Sequence, residues 1–344
     1  MGVAIGWDIG GAHLKAARVR DRRFECAAQE ATPLWLGLHH LEAAFETLKS
    51  RLGEPAVHAI TMTGELCDAF PSRREGVAGL AAIAARHLAR SPVWLYAGRL
   101  GFRPLDEAAE QAEYVASANW HASAALVATR LPDALLIDVG STTADLVPVA
   151  GGAVAAVGYT DAERLAAGEL VYAGMTRSFV MAMADRAPFR GVWTPLMNEF
   201  FASSADVHRL LGDLPDGADR MATADGRDKT DAGSRARLAR MIGRDSSEAG
   251  PGEWKALAAW FAEAQLRAIG DAAFLRLSRG DLAADAPIVA AGIGERIGAE
   301  LARRLGRRCV WFSELLGAGR EASFCAPAAA VAMLVQRAGA AMEA

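Results

Sequence analysis

Lysine is scarce in this chain: among 37 Lys and Arg residues only Lys15, Lys49, Lys229 and Lys255 are lysines. Cysteine is as scarce. Cys26, Cys67, Cys309 and Cys325 form no C-x-x-C pair, which argues against a zinc ribbon or a disulfide framework and for reduced thiols. The histidines contain no H-x-H or H-E-x-x-H, so a histidine-based metal centre is not indicated. No apolar run approaches the roughly 18 residues of a membrane span, and the chain enters its first strand without the basic region and apolar stretch of an export signal. The expectation is a cytoplasmic protein without a membrane partner. A net charge of −4 lacks the basic excess of a general nucleic-acid binder, so nucleic acid is not an expected partner either.

Apolar material, by contrast, is ample. At 344 residues, 52% hydrophobic and 23% charged, the chain can form two ordinary domains with full cores. Residues 2–32 predict a meander of strands near 2–7, 13–19 and 23–28. A helix follows over 40–52, where Leu41, Ala44, Phe45 and Leu48 share one face. A buried strand at 57–62 ends in Thr63-Gly64, a helix runs from Ser72 to Ala89, and 93–96 is another strand. The Ala-rich segment 106–130 reads as helical, with Pro132 as its stop.

The plan then starts over. Strands at 134–139, 143–149 and 153–158 copy the opening meander, and a helical run from Asp161 breaks near Gly174. An amphipathic helix over 253–279 is built on Trp254, Leu257, Phe261, Leu266, Ile269 and Phe274. Strand 288–290, a Gly-rich turn, helix 295–305, strand 309–312 and an Ala-rich helix from Pro327 close the chain. Residues 216–245 stand apart, with many Asp and Arg and few large apolar side chains; they read as a solvated loop, a mobile lid or an irregular polar insert.

Three turns carry the chemistry. In the first, Asp8-Ile9-Gly10-Gly11 opens a hairpin that returns through Lys15; the glycines let backbone approach an anion, and Lys15 adds charge. In the second, Asp138 leaves a strand ahead of Gly140-Ser141-Thr142-Thr143, whose N–H and hydroxyl groups can cradle phosphate beside an acid able to hold a hydrated divalent cation. Each alone is compatible with an ordinary hairpin; recurrence in equivalent places is the argument. The third, Ala290 to Glu295, has Gly292 and Gly294 between a strand and a helix, which suits a nucleotide or diphosphate and also plain turn chemistry.

These three pieces in this order resemble the actin, hexokinase and Hsp70 superfamily. The resemblance implies an α/β fold: a duplicated, ribonuclease H-like two-domain architecture with a cleft between the halves. It implies halves at 1–133 and 134–326, the latter with the polar insert at 216–245, and a C-terminal helix over 327–344 that packs back on the first half. It also implies that Asp8 and Asp138 hold Mg2+ or another divalent cation across one cleft, and that Gly292, Gly294 and Glu295 contact ligand. Whether ATP binds stays open.

DIGGAHLK, MTGELCDAF, SANWHASA, LLIDVGSTTADLVPV, GELVYAG, ADGRDKT and AAGIGE together resemble the hydantoinase/oxoprolinase-related proteins of the tetrahydromethanopterin-linked one-carbon pathway. That group includes a methanofuran-biosynthesis synthase, and the resemblance implies its reaction. An aminomethyl-furan diphosphate is joined to the phenol oxygen of tyramine or gamma-glutamyl-tyramine, and diphosphate leaves. Asp8, Asp138, Lys15 and Asp145 are then the candidate catalytic residues. Gly10, Gly11, Gly140, Ser141, Thr142, Thr143, Asn119, Arg227 and Lys229 are candidates for binding the donor or acceptor. The base that takes the phenolic proton is open among Asp145, His121 and Glu65, and Trp120 is either core or an aromatic wall. An ATP-dependent kinase or amidohydrolase, and a non-catalytic nucleotide sensor, are the alternatives. A homo-oligomer is left open.

Overall fold

In the first strand, two kinds of side chain alternate, and a strand sends alternate residues to opposite faces. The computed structural model describes residues 2–342. Strands β1 (Val3–Ile9), β2 (His13–Arg20) and β3 (Arg23–Ala31) form the antiparallel meander, followed by β4 (Val57–Met62), β5 (Val93–Tyr96) and β6 (Phe102–Pro104). Their order in the sheet is β3-β2-β1-β4-β5-β6, with β4 parallel to β1 and β5 parallel to β4. Ile5, Trp7 and Ile9 face outward into one core with Leu41, Phe45, Leu80 and Ala84 from the helices His39–Leu52 and Arg73–Leu88. Ala4 faces the other way, and the alternation carries Gly6 and Asp8 to that inner face with it.

The second half repeats the arrangement. It has β7 (Ala134–Val139), β8 (Ala144–Ala150), β9 (Ala153–Val154) and β10 (Leu170–Val171), a separate hairpin of β11 (Arg186–Phe189) and β12 (Val192–Pro195), then β13 (Ile288–Ala291) and β14 (Cys309–Trp311). The main sheet runs β10-β8-β7-β13-β14, with β9 also paired to β8. Leu135, Ile137 and Val139 point outward to a core with Ile269 and Leu301 of the helices Pro251–Leu277 and Glu295–Arg304. Leu136 faces inward, and Asp138 shares its parity.

Two helices fill the space between the sheets. Asn119–Ala128 lies on β8 and β7, Ala326–Met342 lies on β1, β2 and β4, and the two pack on each other. Each half is therefore covered by a helix that the other half's end of the chain supplies. The closing helix is nearly all small residues where it meets β1, and a Cβ on Gly6 would stand 2.0 Å from the Ala328 carbonyl oxygen. Residues 343–344, the end of the expected C-terminal helix, lie outside the described residues. No described helix is long and apolar enough to cross a membrane.

Four stretches differ from the sequence expectation. The strand expected over 153–158 stops at Val154, because the Glu169 carboxylate accepts from the N–H groups of Val157 at 2.8 Å and Gly158 at 3.0 Å and turns the chain away. The helical run from Asp161 ends at Ala167 on Gly168, in left-handed conformation, and Leu170–Val171 returns to the sheet. The 106–130 segment is not one helix: it breaks at Ser117, held at a φ of 53°, so that only Asn119–Ala128 is a full helix. Within 216–245, Asp231–Met241 forms a helix whose Arg237 is fully buried between Asp206 at 2.7 Å and Asp225 at 3.1 Å. Buried charges paired in this way look from composition like a solvated face.

Gly6→Ala is expected to lower the unfolding free energy by about 2 kcal/mol or more, because the added carbon must push the closing helix off β1. Gly252→Ala, with nothing within 4 Å of the added carbon, is expected to be neutral or to raise stability by about 0.5 kcal/mol. Urea denaturation of both variants checks this, and equal losses would contradict it.

Candidate functional site

The two Gly-containing turns are closed by the same hydrogen bond. Gly10 N–H donates to the His13 carbonyl at 3.0 Å, and Gly140 N–H donates to the Thr143 carbonyl at 2.8 Å. Across the ladder Asp8 faces Lys15, and at the matching register Asp138 faces Asp145. The match extends to the next parallel strand: Thr61 pairs with Asp8 and Ala291 with Asp138, and each strand leads into a buried glutamate, Glu65 and Glu295.

Both turns open on one cavity of about 260 Å³ between the halves. Asp8, Gly10, Gly11, Lys15 and Asn119 line it from one side, and Gly140, Ser141, Thr142, Thr143, Asp138 and Asp145 from the other. The inward parity of Asp8, Lys15, Asp138 and Asp145, each near a strand end, brings this set together.

Burial dominates the electrostatics. It pushes Asp8 up to about 6, against Lys15 and the Asn119 amide, which hold it down. Burial, then the like charge of Asp145, pushes Asp138 up to about 7. Asp145 is raised by burial and opposed by Arg164, which donates to its Oδ1 at 2.7 Å and to the Glu169 carbonyl at 2.8 Å. Arg164 is itself buried, with its guanidinium 4.2 Å from the centre of the Trp120 ring. Trp120 is thus core and a support for Arg164. His13 is driven down to about 3 by burial first, then by Lys15, Arg177 and Arg220, so its imidazole is neutral.

Among the described residues, Asp8 Oδ1 is buried without a hydrogen-bond partner. No group of three or more His, Cys, Asp or Glu among the described residues is spaced to hold a metal ion. A hydrated Mg2+ needs only one or two carboxylates plus phosphate oxygens, and an orphaned Asp8 oxygen facing Asp138 across a cavity with hydroxyl-rich walls fits that coordination.

Other candidate residues lie elsewhere. Gly292 and Gly294 are packed beneath the second turn: a Cβ on Gly292 would meet the Val139 carbonyl at 2.3 Å, and one on Gly294 the Val139 Cγ1 at 2.6 Å. Glu295 is buried against Arg320. Lys229 is turned to the Asp219 carbonyl at 2.7 Å, and Arg227 is exposed; none of these five lines the cavity. His121 is hydrogen-bonded to the Tyr96 hydroxyl at 2.9 Å, and Glu65 accepts from Ser117 at 2.9 Å; both are away from the cavity wall, so Asp145 is the one candidate base that reaches it.

Sequence reasoning missed Arg177, Tyr172, Asp161 and Ser117, all on the wall. A signal existed for Arg177. Gly174 lies three residues before it, in the GELVYAG motif, and a Cβ there would meet the Thr142 carbonyl carbon at 2.4 Å. That close approach lets Arg177 N–H donate to the Ser141 carbonyl at 2.8 Å and seats the segment on the second turn.

Residues 56–338 match the hydantoinase/oxoprolinase family. A curated relative from Methanocaldococcus jannaschii is 31% identical over 70% of this chain and 72% of its own length. A second, from Methanococcus vannielii, is 30% identical over 33% of this chain and 51% of its own. Both are named as synthases of a furan methanamine bearing a phenoxymethyl group with a gamma-L-glutamylaminoethyl chain. Among solved structures, component A of (R)-2-hydroxyglutaryl-CoA dehydratase from Acidaminococcus fermentans superposes with a TM-score of 0.51 at 13% identity, covering 98% of this chain and 99% of that one. A ROK-family glucokinase from Streptomyces griseus, in complex with glucose and AMPPNP, gives 0.50 at 15% identity over 97% and 99%. An acetone carboxylase gives 0.54 at 10% identity over 95% and 70%. At such identities the likeness concerns the fold alone. The paired hairpins, their shared cleft and the family match over most of the chain converge: the chain belongs to the hydantoinase/oxoprolinase family and has the actin/hexokinase-like fold.

Proposed function

We propose that the protein joins an aminomethyl-furan diphosphate to the phenol oxygen of tyramine or gamma-glutamyl-tyramine and releases diphosphate. The observation that carries the reading is the convergence of two matched, hydroxyl- and glycine-lined turns on one cavity that holds Lys15 and the buried acids Asp8 and Asp138. At about 260 Å³ the cavity lies at the small end of ligand sites. A diphosphate unit fits between the two turns, and the glycines of the third turn are accounted for by packing against Val139.

In this reading the furfuryl carbon–oxygen bond breaks, and diphosphate departs with the electron pair. The N–H groups and hydroxyls of residues 140–143, with Lys15, stabilise the charge that develops on it. The phenol oxygen forms the new bond to that carbon, and its proton passes to Asp145. Arg164 holds Asp145 through Oδ1, which fixes the carboxylate while Oδ2 stays free to accept. Asp8 and Asp138 would hold the divalent cation, which neutralises diphosphate charge when bound.

Incubation with the aminomethyl-furan diphosphate and tyramine, without ATP, is expected to give equimolar ether and diphosphate by mass spectrometry. Turnover that requires ATP would contradict the reading. Asp8→Ala and Asp138→Ala are each expected to reduce kcat at least ~100-fold with the fold intact by circular dichroism.

The buried acids also predict a stability signature in metal-free buffer. Asp138 titrates near 3.8 ordinarily and is raised to about 7 here. Its protonated form is favoured in the folded state, so its contribution is full below the ordinary value and is lost as pH rises through about 7. Asp138→Asn carries no such dependence. Its Tm relative to the wild type should rise between about pH 5 and about pH 8, and a flat difference in thermal melts would contradict the burial argument.

A further inference from the structure

Arg177 differs from the other sheltered arginines of its half. Arg164, Arg209, Arg237 and Arg276 each engage a carboxylate: Asp145, Asp219, Asp206 and Asp281 respectively. Arg177 is half-buried on the cavity wall and makes no salt bridge among the described residues. Its guanidinium instead spans the cleft. One N–H stands 3.4 Å from the Thr142 hydroxyl on the second turn, and its central carbon lies 5.0 Å from the ring centre of Trp35, which belongs to the first half. Trp35 is 41% exposed. It follows Leu34, whose N–H donates to the Gly11 carbonyl at 3.1 Å, so the backbone that carries the indole is held beside the first turn.

Opposite Arg177 the first turn presents two more unanswered groups. Lys15 also makes no salt bridge among the described residues, although it faces Asp8 across the ladder. His13 lines the same cavity, is 6% exposed, and its Nε2 has no hydrogen-bond partner among the described residues. A guanidinium taken partly out of water without a counter-ion, facing an orphaned imidazole nitrogen and an ammonium balanced only by the acids around it, costs free energy unless an anion joins them. The two cations lie on different halves, each beside its own turn. One phosphate per turn is the arrangement that uses every group.

We propose that Arg177 completes a clamp for a condensed diphosphate, with Lys15 and His13 as the opposing jaw, and that Trp35 is the positioning residue that parks the guanidinium over the cleft. This rests on the reading of the cleft as a diphosphate site, and names side chains that the turns alone do not reveal. A planar, always-charged guanidinium suits both tasks, since it stacks on an indole and forks onto phosphate oxygens.

Calorimetric titration of inorganic diphosphate, with and without Mg2+, tests the clamp without relying on ether formation. Arg177→Ala is expected to weaken binding about 10- to 100-fold. Trp35→Leu, which keeps bulk but removes the π face, should weaken it about three- to tenfold, and Trp35→Phe should restore it. Thermal melting of all three variants should stay near the wild type, which separates positioning from a general structural loss. An equal loss with ADP supports recognition of the diphosphate unit whatever it carries; a loss confined to ADP overturns the proposal in favour of a nucleotide site. Wild-type affinity retained in Arg177→Ala overturns the clamp alone. Absence of diphosphate binding in the wild type overturns the clamp together with the reading it rests on.

Discussion

Two carboxylates shut away from water at the ends of β1 and β7 are the constraint on which the cleft depends. An ionised carboxylate in such a place is costly unless something of opposite charge meets it. Asp8 has Lys15 across the ladder, whereas Asp138 has another acid, Asp145, and is raised further for that reason. The halves are alike in backbone and unlike in charge. That asymmetry gives the first acid a cation from within the protein and leaves Asp138, beside Asp145, in need of a cation or a proton. A ligand that brings phosphate and a divalent cation together answers that need and engages Lys15 and Arg177 as well.

The placement of those groups follows from packing. Period-two alternation sends Ile5, Trp7 and Ile9 into one core and Ala4, Gly6 and Asp8 to the opposite face. The inner face can be closed only if the helix covering it comes very near, and Gly6 against the Ala328 carbonyl permits that approach. The central layer holds the Asn119–Ala128 and Ala326–Met342 helices against each other, so the acids cannot shift relative to one another without disturbing a core built from both halves. Preorganisation of the site and stability of the interface are one problem.

Much of this was legible in the sequence because it is local. The two hairpins, with Asp8 and Asp138 at matching positions, could be read from strand alternation and from turns that only small or hydroxyl residues tolerate. Segments whose local pattern is overruled from a distance were not legible. Glu169 ends β9 from beyond the helix that begins at Asp161, which itself stops sooner than its local pattern suggests, and Ser117 breaks the 106–130 segment at a left-handed residue with no glycine to announce it. Asp231–Met241 hid behind a composition of Arg and Asp that pairs off internally, as Arg237 does with Asp206 and Asp225. Gly292 and Gly294 looked like a ligand turn because packing against Val139 demands the same residue that phosphate would. Arg177 carried no motif of its own, and what sets it apart is that it has no carboxylate partner among the described residues.

The central claim is that two turns, one from each half, hold the two ends of a single diphosphate. Phosphorus NMR of inorganic diphosphate bound to the protein tests it most directly, because the free ion is symmetric and gives one resonance. The account predicts two inequivalent resonances of equal intensity at one diphosphate per chain. A single resonance at the free position in the presence of excess protein would contradict it.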